Sequence, residues 1–332
     1  MKNYKTPKLK DVAELAGVSI ATANQVLNNY VSRFSSKTCE KVLNAAKELS
    51  YRPNIAARSL QSRKSYTVGI LFFAGNSIYM NDFMHAVQYS LLKYQYAPIF
   101  LTHSNEEEEE RNLEICMARH VDGIIANAII DAEGRPLLLD RYIQLLNSKV
   151  PLVEIFGTYI PDTPHFSLEY YPYGYNLTER LYKKGCRNIG FLTHSLMEES
   201  GSGSKKYWDI RNMWDGYVDA VTKNGMRAVS FTQHLDSDTE TEGVFYWNTY
   251  KIAGAVFSKE SGLDGIVCFN EEQALALVNY GNSHGVDLHK FLIATVGRSS
   301  NKILSSFPVE QVERPIKEIG RNVVSALMKK IT

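Results

Sequence analysis

The sequence predicts an all-α helix-turn-helix head followed by an α/β body of two doubly wound lobes. Three observations carry that expectation. Three short amphipathic patterns crowd into residues 9 to 50, with a glycine between the first two. From Tyr66 onward, apolar strand runs alternate with helical periodicity, and the alternation occurs twice in series. A chain of 332 residues is too long for one ordinary domain, and its 44% hydrophobic content supplies more than one core.

In the head, Leu9, Val12, Ala13 and Ala16 recur at i, i+3, i+4 and i+7, and Gly17 stops the helix with a residue free to turn left-handed. Ser19 is placed to cap a second helix running to about Asn28, with Ala23, Val26 and Leu27 on one face. A third, from about Ser36 to Ser50, offers Val42, Ala46 and Leu49 to the same small core. Pro53 then holds Arg52 extended and leaves Asn54 to start a short helix, IAARSL, with Ala56, Ala57 and Leu60 on or near one face. About seven residues do not persist as a helix alone in water, so this one is expected to order against another surface.

The body begins with a buried strand, Thr67 to Phe73, then a helix from Ile78 to Tyr94 and a strand from Pro98 to Thr102. Asn105 caps a helix opening with Glu106 to Glu110, where acids complement the macrodipole. A strand at Asp122 to Ala126, a helix at Leu137 to Leu146 and a strand at Pro151 to Phe156 complete a first βαβ series. The second has helices at Tyr173 to Lys184, Ile210 to Asn224, Gly243 to Phe257 and Glu271 to His284. Its strands are Asn188 to Thr193, Ala228 to Thr232, Asp264 to Phe269 and Leu292 to Val296. Ligands of open α/β sheets bind beyond the carboxyl ends of the strands, so the cleft between the lobes is the expected small-molecule site.

The net charge of +1 conceals an asymmetry. Residues 1 to 66 hold twelve Lys and Arg against four acids, a balance of +8, which leaves −7 for the rest. A basic head on an acidic body points to a polyanion partner for the head alone, or to a merely solvated basic surface. Cys39, Cys116, Cys186 and Cys268 show no paired spacing, so neither a metal nor a disulfide framework is expected, and a reducing cytoplasm fits. No apolar run is long enough for a membrane span, and no export signal is legible. Catalytic patterns are wanting: the stretch Gly201 to Lys205 lacks phosphate-loop spacing, and no nucleophile elbow or zinc motif occurs. Neither an enzyme nor a cofactor is expected.

The head carries DVAELAGVS, then T-x-x-x-V-L-N from Thr22 to Asn28, S-x-K-T at Ser35, and Y-R-P-N-x-x-A-R-x-L from Tyr51 to Leu60. The body adds VGIL after the hinge, VDGII at Val121, R-x-x-x-x-G-Y-x-x-A from Arg211, FNEEQALAL at Phe269 and VERPIKEIGRNV from Val312. On these motifs the chain resembles the LacI/GalR family of bacterial transcription regulators along nearly its whole length. The resemblance implies a homodimeric repressor that binds double-stranded operator DNA, answers to a small-molecule effector and has a periplasmic-binding-protein-like body. The rival is a solute-binding protein without DNA activity, disfavoured by the basic head and the missing export signal. The expected division is a headpiece at 1–53, a hinge helix and linker at 54–65, and an effector-binding and dimerisation domain at 66–332. Within that domain, lobe 1 is expected at about 66–163 and 296–313, and lobe 2 at about 164–295 and 314–332. Relatives often continue past the last helix into a further strand, so an abbreviated lobe edge is expected.

The resemblance puts Leu9, Ser19, Thr22, Asn28, Ser35, Thr38, Tyr51 and Asn54 at backbone-contacting positions, and hydroxyls, amides and helix N-termini suit phosphate oxygens. Helix capping is the plain alternative for Ser19, Ser35 and Asn54. Base reading falls to Ile20, Ala21, Asn24 and Gln25 at the start of the second helix. Where the family usually has Ser-Arg, this chain has Asn24 and Gln25, whose donor and acceptor match adenine rather than guanine. One extra residue lies between Asn28 and Thr38. Ala57 and Arg58 belong to the hinge, and Leu60 stands at the minor-groove wedge position, with linker packing as its plain alternative. For the effector, the resemblance points to Arg211, Asn270, Trp247, Arg298 and Ser299; Arg211 and Asn270 read equally as a surface ion-pair partner and a helix cap. Trp208, Trp214 and Tyr246 could stack on a sugar or fill a core. The family's G-[FY]-D-D is Gly297-Arg298-Ser299-Ser300 here; the expected effector is a sugar, a phosphosugar or another small anion, and this exchange of two acids for a cation tells against an ordinary sugar.

Overall fold

The computed structural model describes residues 7–27, 33–52, 55–73, 78–156, 160–195, 208–234, 244–297 and 304–331. They form two compact units, 1–65 and 66–332.

The first unit holds α1 (Leu9–Ala16), α2 (Ile20–Leu27), α3 (Ser36–Glu48) and α4 (Ile55–Ser62). Its core is Val12, Ala13, Ala16, Ala23, Val26, Cys39, Val42, Ala45 and Ala46, with Leu9, Leu27 and Leu49 packed partly buried against it. These side chains are small, so the helices cross at short range and the turn between α1 and α2 must be tight. Gly17 makes it by taking φ 65° and ψ 38°, where a β-carbon is penalised. The third helix ends two residues sooner than its periodicity suggests. Ser50 takes the left-handed conformation (φ 50°), and Tyr51 N–H donates to the Ala46 carbonyl at 2.8 Å, which closes the helix.

The second unit has two parallel sheets. In lobe 1, β1 (Thr67–Phe73), β2 (Ala97–His103), β3 (Gly123–Ala126), β4 (Leu152–Ile155) and β5 (His165–Phe166) lie in the order β2-β1-β3-β4-β5. The helices α5 (Ile78–Lys93), α6 (Glu106–Ala118) and α7 (Leu139–Asn147) connect them. In lobe 2, β6 (Ile189–His194), β7 (Ser230–Gln233), β8 (Gly265–Cys268), β9 (Leu292–Gly297) and β10 (Val309–Glu313) lie in the order β10-β9-β8-β6-β7. They alternate with α8 (Tyr171–Lys183), α9 (Trp208–Lys223), α10 (Val244–Val256) and α11 (Glu271–Ser283). Each sheet therefore follows the doubly wound order 2-1-3-4-5, with switch points between β1 and β3 and between β6 and β8.

The lobe assignments expected for the C-terminal part are exchanged in the structure. Residues 309–313, expected in lobe 1, form β10, which pairs in parallel with β9 from Val309 opposite Ile293 to Glu313 opposite Gly297. The chain then crosses at Arg314 and Pro315, and α12 (Ile316–Ile331), expected in lobe 2, covers the lobe 1 sheet. The cause is its apolar stripe: Ile316, Ile319, Val323, Val324 and Leu327 join Val68, Ile70, Phe83, Val87 and Val153 in one core. Lobe 2 has two further cores, one on each face of its sheet, under α8 and α9 and under α10 and α11.

One element of the acidic run also departs from expectation. Asn105 caps α6 by accepting from Glu108 N–H at 3.0 Å, as anticipated, but Glu109 turns inward and is wholly buried. Trp214 packs edge-on against Phe191 and beside Tyr217, which makes it a core residue.

Candidate functional site

In the head, the two helix N-termini are finished by the same hydroxyl pair. Ser19 Oγ accepts from Thr22 N–H at 3.0 Å and lies 2.9 Å from Thr22 Oγ1. Ser35 Oγ accepts from Thr38 N–H at 3.2 Å and lies 2.8 Å from Thr38 Oγ1. Both serines are exposed, so the caps sit at the surface, beside amides suited to an oxyanion. On α2, Ile20 is half exposed (50%) and Ala21 is exposed, while Thr22, Asn24 and Gln25 are partly buried. The core-facing residues of α2 are Ala23 and Val26, which leaves 20, 21, 24 and 25 off the buried stripe. Leu9, Thr38 and Tyr51 are partly buried against the same core, and burial pushes the Tyr51 phenol upward.

Leu60 lies on α4 and is 85% exposed, the most open large apolar side chain among the described residues. It therefore has little contact with the core of its own unit. Arg58 is partly buried, and its carbonyl accepts from Ser62 Oγ at 2.9 Å. Ala57 belongs to α4, though its side chain lies outside the described residues, as do Asn28 and Asn54.

In the body, Arg211 stands in the first turn of α9, partly buried at the carboxyl side of the lobe 2 sheet, with Asp215 one turn further on. Burial raises the Asp215 carboxyl, and the Arg211 cation works against that shift. Asn270 is a helix cap: its side chain accepts from Gln273 N–H at 3.0 Å and starts α11. Trp247 is 59% exposed on α10 and meets Tyr246 edge-on at 4.9 Å; Tyr246 Oη in turn accepts from Asn279 Nδ2 at 2.9 Å. Because α9 and α10 cover opposite faces of the sheet, Arg211 and Trp247 are not brought onto one wall. Arg298 and Ser299 lie outside the described residues, and so does the side chain of Trp208.

The structure adds residues that the sequence did not single out. Arg314, on the crossover out of lobe 2, is buried and donates through Nη2 to the Phe269 carbonyl at 3.2 Å. Its guanidinium lies 5.3 Å from the Tyr170 ring and 5.4 Å from the Phe269 ring, and those rings stack at 5.7 Å. Tyr170 ends the opposite crossover, from β5 to α8, so one cation touches both crossovers between the lobes. Asp209, beside Arg211, is raised by burial, an effect opposed by the Ile210 amide and then by Arg314. A cavity of about 320 Å³ at the junction is lined by Asp82 of α5, Glu313, Arg314, Lys317 and Arg321. Of the expected effector residues that are described, Arg211, Asn270 and Trp247, none lines it. At the ends of β6 and β7, buried His194 is lowered to about 4 by desolvation and is therefore neutral, and Gln233 accepts from Thr249 Oγ1 at 2.6 Å. The one advance signal for Arg314 was its place before Pro315, at the break between a strand and the last helix.

A small helix-turn-helix unit joined to a two-lobed α/β body defines a regulator with separate nucleic-acid-reading and ligand-sensing parts. Residues 8–54 match the model of bacterial regulatory proteins of the lacI family, and residues 178–332 match the periplasmic binding protein-like domain. The chain is thus a DNA-binding transcription regulator with a lacI-family head and a periplasmic-binding-protein-like body. It is similar to the sucrose operon repressor of Pediococcus pentosaceus, 28% identical over 98% of this chain and 92% of that one. Similarity to the HTH-type transcriptional regulator RegA of Clostridium saccharobutylicum is also 28%, over 97% and 91%. Among solved structures, the lac repressor dimer bound to operator and the anti-inducer ONPF superposes with a TM-score of 0.69 at 20% identity, over 98% of this chain and 93% of that one. That likeness establishes the fold. Among the described residues, no helix is long and apolar enough to cross a membrane.

Proposed function

We propose that the chain is a cytoplasmic, non-enzymatic repressor that binds double-stranded operator DNA as a homodimer and answers to a small anionic effector held between its lobes. The observation that carries this reading is the pair of exposed, hydroxyl-capped helix N-termini in a head of charge +8. Ser19, Thr22, Ser35, Thr38, Tyr51 and Leu9, with Asn28 and Asn54, fix the register on phosphates; Ile20, Ala21, Asn24 and Gln25 read bases. Asn24 and Gln25 favour adenine edges, so the half-site depends less on guanine than one read by arginine. Leu60 enters the minor groove from a hinge that folds when paired with its partner on DNA, and Ala57 and Arg58 accompany it. The effector, a phosphosugar or similar anion, engages Arg211 and Arg298, with Ser299 and Asn270 around it. Its binding changes the lobe angle and thereby the spacing of the two hinge helices.

Selection from random duplex DNA, followed by a gel-shift salt series, tests the reading. The expected results are a palindromic site with adenine-rich half-sites and an affinity that falls steeply with salt, a log–log slope of about −0.9 per neutralised phosphate. A G-centred half-site would refute the role given to Asn24 and Gln25. Salt-independent or absent DNA binding would favour a solute-binding protein instead.

A further inference from the structure

Lobe 1 keeps an ionisable group where water does not reach. Glu109, on the inner face of α6, has no exposed surface. Its Oε1 accepts from Tyr142 Oη of α7 at 2.5 Å, and both its oxygens lie 3.3 Å from Ile129 N–H. Among the described residues no cation pairs with it. The charged groups around it are acids: Glu106 on its own helix acts against its ionisation, and Glu154 of β4 faces Tyr142. The Cys116 thiol of α6 also acts on Tyr142, and Arg141 of α7 points outward to Glu110 at 2.6 Å. His103, at the end of β2, is lowered by burial; its Nε2 lies 3.1 Å from the Asn127 carbonyl.

Ile129 begins a small hairpin that leaves the carboxyl end of β3, beside the lobe 1 switch point. Leu137 N–H donates to the Ile129 carbonyl at 2.9 Å, Ile130 bridges Pro136, and Asp131 binds Arg135 across the tip at 2.8 Å. The root of the hairpin therefore rests on the Glu109 carboxyl. We propose that Glu109, buried between the Tyr142 hydroxyl and the Ile129 amide, is a proton-operated latch that holds the 129–137 hairpin closed when protonated and releases it when ionised.

The direction follows from solvation. A carboxylate without a cation in a dry site is costly, and the raised value of about 7 shows that burial outweighs the two hydrogen bonds that favour ionisation. Opening the hairpin hydrates the group and returns it to the ordinary carboxylate range. Below that range both forms are protonated and the latch is fully closed. As pH rises, the open form ionises first, so closure is lost progressively up to about 7 and is constant above it. The hairpin at the carboxyl end of β3 thus loosens as the surroundings approach neutrality from the acid side.

Hydrogen exchange of the full chain, read by mass spectrometry from about pH 5 to about pH 8 and corrected for intrinsic rates, tests the proposal. Protection of the segment 127–138 should fall by roughly a hundredfold and then level off, while peptides from lobe 2 keep theirs. Glu109→Gln, which copies the neutral form, should abolish the dependence. Tyr142→Phe keeps the ring but removes the bond that favours the carboxylate, so it should move the midpoint to higher pH. A flat profile in the unmodified chain, a slope retained in Glu109→Gln, or protection that rises with pH would each overturn the latch. Should Glu109→Gln fail to fold, an unmoved midpoint in Tyr142→Phe overturns it equally.

Discussion

One methyl group at Gly216 should force α8 and α9 apart. A β-carbon built there would lie 2.1 Å from the Tyr171 carbonyl oxygen and 2.9 Å from Tyr175 N. The crossing is reciprocal, since a β-carbon at Gly174 would meet the Met213 carbonyl oxygen at 1.8 Å. These obstacles are backbone atoms, which no rotamer change relieves, so restoring an ordinary contact requires roughly 1 Å or more of helix displacement. The displaced surfaces carry Leu177, Leu181, Met213, Tyr217 and Val221, all fully buried, and a gap of that size forfeits about a quarter to a half of each contact's attraction. The expected cost of Gly216→Ala is about 3 kcal/mol, against the gain of up to about 1 kcal/mol that helix propensity alone would bring. Thermal unfolding of the full chain followed by circular dichroism should place the lobe 2 transition roughly 6–12 °C lower. Because Asp209 and Arg211 ride on the first turn of α9, the effector response should weaken as well. An unchanged or raised midpoint would refute the reasoning, because propensity would then outweigh the crossing.

Gly17→Ala meets no atom within 4 Å, so its cost is that of the left-handed backbone alone, about 1 kcal/mol. Chemical denaturation of the head should show it, and a cost above about 3 kcal/mol would mean that packing had been overlooked. Leu60→Ala removes a side chain that is 85% exposed, so protein stability should stay within about 0.5 kcal/mol while DNA affinity and bending are lost. A circular-permutation bending assay that gave the same angle for both proteins would sink the wedge.

What the sequence disclosed depended on how much of each signal is local. The head was legible nearly residue by residue, because Gly17, Ser19 and Ser35 act on their own neighbours: a left-handed turn and two caps. The long strands of both sheets were equally plain, since a parallel strand buried on both faces is a continuous apolar run. The strands that escaped are the edges. His165–Phe166 has two residues, and Val309–Glu313 reads VEQVE, whose polar half hides a ladder partner 16 residues away in β9. The exchange of the C-terminal segments had the same origin: the amphipathic pattern of α12 demanded a core without saying which lobe would supply it. Glu109 was hidden because four neighbouring glutamates made it look like one more solvated acid; only the contact with Tyr142, 33 residues on, tells it apart. Asn270 went the other way, for its capping bond to Gln273 N–H is local and was legible as the plain alternative.

The marginal element is α4, and its weakness bears on how the two units communicate. An isolated helix of eight residues lies below the length at which helices persist in water, because nucleation costs more than so few bonds return. No acid occupies its first turn, no basic residue its last, and it leaves Leu60 in solvent. Whatever covers Leu60 therefore supplies part of the free energy that keeps α4 helical, and burying a leucine supplies about 2 kcal/mol. A quantity of that size is comparable to an ordinary allosteric coupling energy. On the proposed reading, a change in the body that separates two such helices by a few ångströms withdraws that free energy and melts α4.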